Sequence, residues 1–329
     1  MGSKNKNLKF RKILIIGAGS IGIRHLKNLL FLGYNNLAIC DPDKDRQKAI
    51  KDIADLPFYS APEEAIKKEE PQIIFICSPT SLHLKHLNLA LEKSVDIFVE
   101  KPLSSNLSGV DDVIKKAVKR KSVVMVACNF KFHKGMQMLA EELQKNSYNN
   151  PLLARVVLGY YLPDARKKTD YKKNYAAQKD GGGVILDSGI HVINYLESLM
   201  GEIDRVMAVE GKTKNLGINS EESAQLTFVH KTGGISSVSL DYLSRRPIHR
   251  IEIITKQKLF VLDLKEDLLV SDDGKIKKVL YKGDGDVNRM FVDELRHFFE
   301  CIESRKETVQ GLKEAGAYLT KIIRADKLN

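Results

Sequence analysis

The stretch that most limits what this chain can become is Ile13 to Gly22. Ile13-Leu14-Ile15-Ile16 is an unbroken apolar run that feeds into Gly17-Ala18-Gly19-Ser20-Ile21-Gly22. An apolar run without alternation suits a parallel strand buried on both faces. The residues that follow, through Leu32, carry the 3.6-residue apolar spacing of a helix. Strand, glycine turn and helix in that order make GxGxxG a dinucleotide-binding fingerprint rather than a chance match. The first glycine permits the tight turn, the second lets backbone N–H groups approach a pyrophosphate, and the third lets the helix pack on the strand. A second apolar run, Leu37 to Cys40, ends at Asp41, 19 residues past Gly22 (41 − 22). That spacing fits an acid that hydrogen-bonds the ribose hydroxyls of NAD, although Asp41 is also a natural turn residue in Asp-Pro-Asp.

Alternation of strand and helix continues. Strands are expected at Ile73 to Cys77, Val95 to Val99 and Val123 to Ala127, with helices at Ser81 to Lys93 and Leu107 to Arg120. Residues 11–128 therefore read as a doubly wound α/β domain with a parallel sheet. Past Cys128 the pattern changes. One helix, Gly135 to Gln144, precedes six segments of strand character: Leu152 to Leu162, Val206 to Lys212, Ala224 to Val229, Gly234 to Tyr242, His249 to Thr255 and Leu259 to Leu264. Several alternate apolar with polar, as antiparallel strands with one wet face do. Helices return at Val287 to Glu303 and Thr308 to Asp326. Residues 129–329 thus read as an α+β domain built on a large, mostly antiparallel open sheet, and residues 1–10 as a disordered leader.

Four cysteines, Cys40, Cys77, Cys128 and Cys301, are scattered without a CxxC pair, which favours buried thiols in a cytoplasmic protein over disulfides or a metal site. No apolar run approaches a membrane span, so no membrane association is expected. The net charge of +11 is mostly lysine spread along helices, and no nucleic-acid motif accompanies it.

The second chemical landmark is Gly181 to His191, GGGVILDSGIH. Three glycines open an amphipathic helix expected to end near Gly201, on which Asp187 and His191 stand four apart and share a face. A carboxylate and an imidazole on one face can move protons at neutral pH, while the plainer reading is a helix cap and a core histidine. A third landmark is Glu100-Lys101-Pro102 at the carboxyl end of a strand, where open α/β sheets bind ligands.

GAGSIG, EKP and GGGVILDSGIH, in this order and spacing, resemble the Gfo/Idh/MocA oxidoreductases over nearly the whole chain. The resemblance implies a Rossmann domain, a second domain whose sheet mediates oligomerisation, and NAD(P)-linked hydride transfer on a sugar or cyclitol hydroxyl. It implies that Lys101, Asp187 and His191 hold and deprotonate that hydroxyl, and that relatives carry a cis bond before Pro102. Gly17, Gly19, Ser20, Ile21, Gly22, Asp41, Ser78, Pro79, Thr80, His83, Glu100 and Lys101 are the expected cofactor contacts. Asn129, Lys131, Tyr160, Lys167, Lys168 and Asn194 are the expected substrate contacts. Two departures stand out: Asn194 replaces a further acid found in many members, and Lys131 replaces an arginine, a point charge in place of a planar fork. His25 is expected to pack, and His83 and His86 to be structural or near the cofactor rather than catalytic.

From these residues NAD is expected over NADP, because Asp41 repels a 2′-phosphate. Arg46 lies on the following helix and is a weaker clue. A homo-oligomer is expected from the apolar outer face of an open sheet. The segment Pro163 to Asp180 carries six basic residues, Arg166, Lys167, Lys168, Lys172, Lys173 and Lys179, with Tyr171 and Tyr175 interleaved, and Arg245 and Arg246 add to it. It reads either as a solvated loop or as a reader of an anionic substrate such as a nucleotide-activated or acidic sugar. A cyclitol dehydrogenase, an NAD-dependent glycosidase and a non-catalytic NAD-binding regulator are the other classes open to the sequence.

Overall fold

The computed structural model describes residues 8–145, 151–165, 170–173, 175–178 and 182–327. The chain forms two compact units. The first holds the residues up to Ala127 and also Phe291–Leu319; the second holds Cys128–Met290 and the residues from Thr320 onward. A division into 11–128 and 129–329 leaves out this return of the chain to the first unit. Of the leader, residues 1–7 lie outside the described residues. Leu8 is a correction to disorder up to residue 10, since its side chain is buried and its carbonyl accepts the Arg11 N–H at 3.0 Å.

In the first unit six described strands form one parallel sheet: β1 (Ile13–Ile16), β2 (Leu37–Cys40), β3 (Phe58–Tyr59), β4 (Ile73–Ile76), β5 (Asp96–Val99) and β6 (Val124–Val126), in the order β3-β2-β1-β4-β5-β6. Every residue of β1, β2, β4 and β5 is buried, which is why β1, β2 and β4 are continuous apolar runs and β5 is apolar from Ile97 onward. Helices α1 (Ser20–Phe31), α2 (Asp45–Lys51), α3 (Pro62–Glu69), α4 (His83–Glu92) and α5 (Val110–Arg120) make the crossovers. The returning helix α8 (Asn288–Ser304) sets Phe298 edge-on to Phe75 and Phe98, which themselves stack 5.0 Å apart. At the end of that helix Arg305 grips the buried Asp96 carboxylate, 2.8 Å to each oxygen. The last helix, α9 (Leu312–Ile323), runs from one unit into the other.

The second unit begins with α6 (Lys134–Gln144) and centres on nine described strands in the order β14-β13-β12-β11-β7-β10-β9-β8-β15. These are β7 (Leu153–Gly159), β8 (Ile203–Gly211), β9 (Ser223–His230), β10 (Ile235–Asp241), β11 (Ile248–Ile254), β12 (Leu259–Asp263), β13 (Leu268–Asp272), β14 (Lys277–Lys282) and β15 (Asp326–Lys327). All neighbours are antiparallel except β7 with β10 and β8 with β15. Val156, Leu226, Val238, Ile251 and Phe260 alternate into the core, while Arg155, Gln225 and Ser237 face outward. Strands β13, β14 and the short β15 are additions to the six segments expected from the sequence. β14 is an edge strand with three lysines and little burial, so its apolar period is broken by the charges that guard an edge.

The segment after the glycine triplet also differs from expectation. Ile185–Gly189 is a π-helical turn, and the regular α-helix α7 (Ile190–Met200) begins only after it. A Cβ on Gly189 would stand 3.3 Å from Leu240, so the turn lies close on the inner face of the sheet. Such single π turns recur at functional sites.

Candidate functional site

The first unit carries a cradle for a dinucleotide. Gly17 takes φ +104°, and a Cβ there would stand 2.5 Å from the backbone of Cys77; one on Gly22 would stand 1.9 Å from the Gly17 carbonyl oxygen. Only glycine fits either place. No side chain caps the start of α1, so its N–H groups point at the loop, the arrangement that receives phosphates. Asp41 is buried beside this loop; its Oδ2 accepts the Ala18 N–H at 2.7 Å and its Oδ1 the Asp43 N–H at 2.9 Å. Arg46 donates to Asp41 at 3.1 Å and to Asp43 at 3.2 Å, and its guanidinium lies 3.4 Å from where a Gly19 Cβ would be. Arg46 is thus nearer Asp41 than its place on the next helix suggests.

The ends of β4 and β5 complete this half. Ser20 is exposed and Ile21 half-buried at the helix start, Pro79 is exposed, and Ser78 and Thr80 are buried. The Ser78 hydroxyl pairs with His86 Nδ1 at 2.9 Å, and burial lowers the His86 imidazole to about 4. His83, expected to be structural or near the cofactor, is buried and both its ring nitrogens face backbone carbonyls. Glu100 is buried and bonds His25 Nε2 at 2.7 Å; His25 therefore does more than pack. Burial opposes ionisation of Glu100, but the His25 hydrogen bond and the charges of Lys101 and His83 hold its carboxyl below the usual range. Lys101 is half-buried, and the Lys101–Pro102 bond is cis.

The second unit carries a carboxylate ringed by phenols. Asp187, buried in the π turn, accepts Tyr175 Oη on Oδ1 at 2.5 Å, and Tyr160 and Tyr242 Oη on Oδ2 at 2.9 and 3.3 Å. Tyr160 directly follows β7, Tyr242 directly follows β10, and Tyr175 lies in a 3₁₀ turn just before the glycines. Tyr242 is fully buried, and burial with the adjacent Asp187 charge raises its hydroxyl well above the ordinary value. His191, one turn on, is half-buried with the Phe130 ring edge-on at 5.0 Å; Phe130 also meets the His249 ring, at 4.8 Å. Glu221 caps the turn, accepting the Ile185 N–H at 3.0 Å, and burial raises its carboxyl.

Among the expected substrate contacts, Tyr160 reaches the Asp187 cluster. Asn129 turns its amide onto Met290 Sδ at 3.6 Å, Lys131 is half-buried in a 3₁₀ turn, and Asn194 is buried in α7. Lys167 and Lys168, with Arg166, Lys179, Asp180 and Gly181, lie outside the described residues. Tyr160 also lines an open depression of about 330 Å³ with Leu158, Gly159, Ala165, Pro247 and Lys265. Nearby in sequence, Arg245 lies 3.6 Å over the Tyr161 ring. Sequence reasoning missed the Tyr242, Glu221 and Phe130 contacts. Tyr175 stood out only as a ring interleaved with the basic residues, and Tyr171, read the same way, bonds the Leu216 carbonyl at 2.9 Å.

Residues 11–128 match the oxidoreductase family with an NAD-binding Rossmann fold, and residues 136–260 match the Gfo/Idh/MocA C-terminal domain. The chain belongs to the Gfo/Idh/MocA oxidoreductases. It is an NAD-binding enzyme of the dehydrogenase/reductase class that acts on CH–OH groups. It is 25% identical to a myo-inositol 2-dehydrogenase of Thermotoga maritima over 89% of this chain and 88% of that one. Its fold superposes on an Agrobacterium radiobacter oxidoreductase solved with NAD+, L-tartaric acid and magnesium (TM-score 0.84, 17% identity, 96% and 95% of the two chains). It also superposes on a UDP-N-acetylglucosamine 3-dehydrogenase of Acidithiobacillus ferrooxidans (TM-score 0.80, 17% identity, 96% of each chain). Among the described residues no helix is long and apolar enough to cross a membrane.

Proposed function

We propose that this family member interconverts a hydroxyl and a ketone on an anionic sugar, nucleotide-activated or acidic, with Lys101, Asp187 and His191 as the reacting groups. The observation that carries the substrate class is Tyr160, whose hydroxyl bonds Asp187 while its side chain lines a depression bordered by Lys265. A sugar hydroxyl beside the carboxylate and a remote anion beside the ammonium fit that layout.

NAD, when bound, supplies the hydride acceptor. The protein handles position and the proton. His191 takes the hydroxyl proton in oxidation and returns it in reduction, as a neutral imidazole can near pH 7. Lys101 stabilises the developing alkoxide. Asp187 already accepts three phenol hydroxyls, so its part is to orient rather than to remove a proton. Self-association through the second sheet and a reducing compartment, consistent with four buried free thiols, belong to the same reading.

The test is a panel of nucleotide sugars, sugar acids, neutral sugars and myo-inositol with NAD, followed by absorbance of the reduced nicotinamide. Anionic substrates are expected to give the highest kcat/KM. Lys265→Ala is expected to raise KM roughly tenfold with kcat little changed, as loss of uniform binding does. Lys167→Ala/Lys168→Ala tests the basic segment in the same way. A preference for myo-inositol would overturn the anionic reading. It would favour a cyclitol dehydrogenase, the second reading, which rests on the 25% identity to a myo-inositol 2-dehydrogenase.

A further inference from the structure

His83 stands at the first position of α4, 1% exposed, between two strand-end segments of the first unit. Its Nδ1 lies 2.8 Å from the Pro102 carbonyl oxygen and its Nε2 2.9 Å from the Ser78 carbonyl oxygen. A carbonyl oxygen only accepts, and a neutral imidazole has one N–H. In the neutral ring one of these contacts sets a bare nitrogen lone pair against an oxygen lone pair. In the imidazolium both contacts are charge-assisted hydrogen bonds.

The surrounding charges point the same way. Glu100 is buried and held ionised, so it calls for a cation nearby. His25 bonds Glu100 through Nε2, but its buried Nδ1 has no hydrogen-bond partner among the described residues and sits among the rings of Phe75, Phe98 and Phe291. A proton on that nitrogen would be an orphaned donor, so His25 is the neutral partner. His86, the neighbouring titratable ring, is kept neutral by burial. Glu100 therefore draws its countercharge from Lys101 and His83. Burial, the largest influence, and the Lys101 charge lower the His83 imidazole on balance, although the two carbonyls and Glu100 push it up. The double carbonyl contact stands against that lowering, because deprotonation leaves a buried lone-pair clash that the ring cannot rotate away from.

We propose that His83 is a buried imidazolium that clamps the Ser78 and Pro102 carbonyls together and is thereby a positioning residue for Lys101. Ser78 lies two residues past the end of β4, and Pro102 directly follows the lysine after β5. One ring thus fixes the lysine-bearing segment against its neighbour at the carboxyl edge of the parallel sheet. The importance of Lys101 rests on the function proposed above, but the clamp itself is tested without any substrate.

The first arm is ¹⁵N NMR of the full chain labelled at histidine, recorded from pH 6 to pH 8, with the His83 signals assigned by their loss in His83→Gln. Both ring nitrogens of His83 are expected to carry N–H protons throughout. A bare nitrogen at pH 7 overturns the proposal. The second arm is partial labelling with acetic anhydride, reading Lys101 by mass spectrometry against the exposed Lys68 as internal reference. His83→Phe, which keeps the bulk and loses both donors, is expected to change the Lys101-to-Lys68 ratio by roughly threefold or more, as half a pKa unit would. His83→Gln, which keeps one donor, is expected to change it less. An unchanged ratio in a folded His83→Phe protein overturns the positioning role. If that variant does not fold, the glutamine variant takes its place, and an unchanged ratio there overturns the role equally. A failed clamp shows in these arms whatever substrate the enzyme takes.

Discussion

His249 shows what burial does to a titratable residue that shares the Phe130 ring with His191. It is 2% exposed, bonds the Tyr195 hydroxyl at 3.1 Å and receives the Phe130 ring. Burial first, then the Lys265 and His133 charges, lower its imidazole to about 3. The folded value lies below the unfolded one near 6.5, so the unfolded chain binds the proton first as pH falls. The stability tied to this residue is complete above about pH 6.5 and is lost as pH falls toward 3. Between pH 7 and pH 5 that amounts to about 2 kcal/mol. His249→Leu is expected to be less stable than wild type at pH 7, having lost the Tyr195 bond, yet to lose less on acidification. Thermal unfolding midpoints at pH 7 and pH 5 check this, and equal acid shifts in the two proteins would contradict it. At this scale the sequence offered candidate residues but not what they touch. Asp187 and His191 are visible as a spaced pair next to glycines. The phenols that hold Asp187 come from positions 160, 175 and 242, and no local pattern joins them.

Among the elements, the turn from Gly182 to Gly189 is the most constrained. Gly183 takes φ +55°, and a Cβ there would stand 2.1 Å from Glu221 Oε1, the oxygen that caps Ile185. Glycine at 183 is what lets the carboxylate reach the first turn. Gly183→Ala is expected to displace Glu221 and to lower both stability and kcat. Glu221→Ala, which leaves the backbone alone and removes the cap, is expected to cost about 1 kcal/mol, the usual worth of a cap. Unfolding midpoints and NAD-linked rates of the two variants check this; a Gly183→Ala enzyme of wild-type rate would show that the cap does not set the turn. The sequence makes the helix legible through its apolar spacing, but not the π turn, which widens the first turn without changing which residues are apolar. In the same way β1, β2 and β4 are legible because total burial makes them uniformly apolar, whereas the edge strand β14 is hidden by its lysines. The return of Phe291–Leu319 to the first unit was equally hidden, because its helical period says only that one face is buried and not against which sheet.

For the whole molecule, the outer face of the second sheet bears on assembly. The sequence suggested an apolar face, and the structure shows a mixed one, with Arg155 pairing with Glu252 across the strands and Arg250 pairing with it along β11. At one end, however, the registers align a single apolar row. Val229 on β9 pairs with Ile235 on β10, Ile235 with Leu153 on β7, Leu153 with Ile254 on β11, and Ile254 with Leu259 on β12. All five are half-buried or exposed, and Ile235 is 44% exposed. Five strands at about 4.8 Å spacing make this row about 19 Å long, a continuous apolar strip rather than scattered residues. A second copy of the chain suits such a strip, because a two-fold contact lays the row on itself and sets the neighbouring Arg155–Glu252 pairs alongside as a polar rim. The net charge of +11 opposes association at long range, so the strip must do the holding and added salt should help it. Sedimentation velocity at micromolar concentration is expected to give a dimer or a multiple of one, strengthened by salt. Ile235→Lys, which places a charge in the middle of the row on a side chain that already reaches solvent, is expected to shift the boundary toward the 37.0 kDa monomer while leaving NAD binding intact. A wild-type monomer under these conditions, or an oligomer indifferent to Ile235→Lys, would remove this row from the interface.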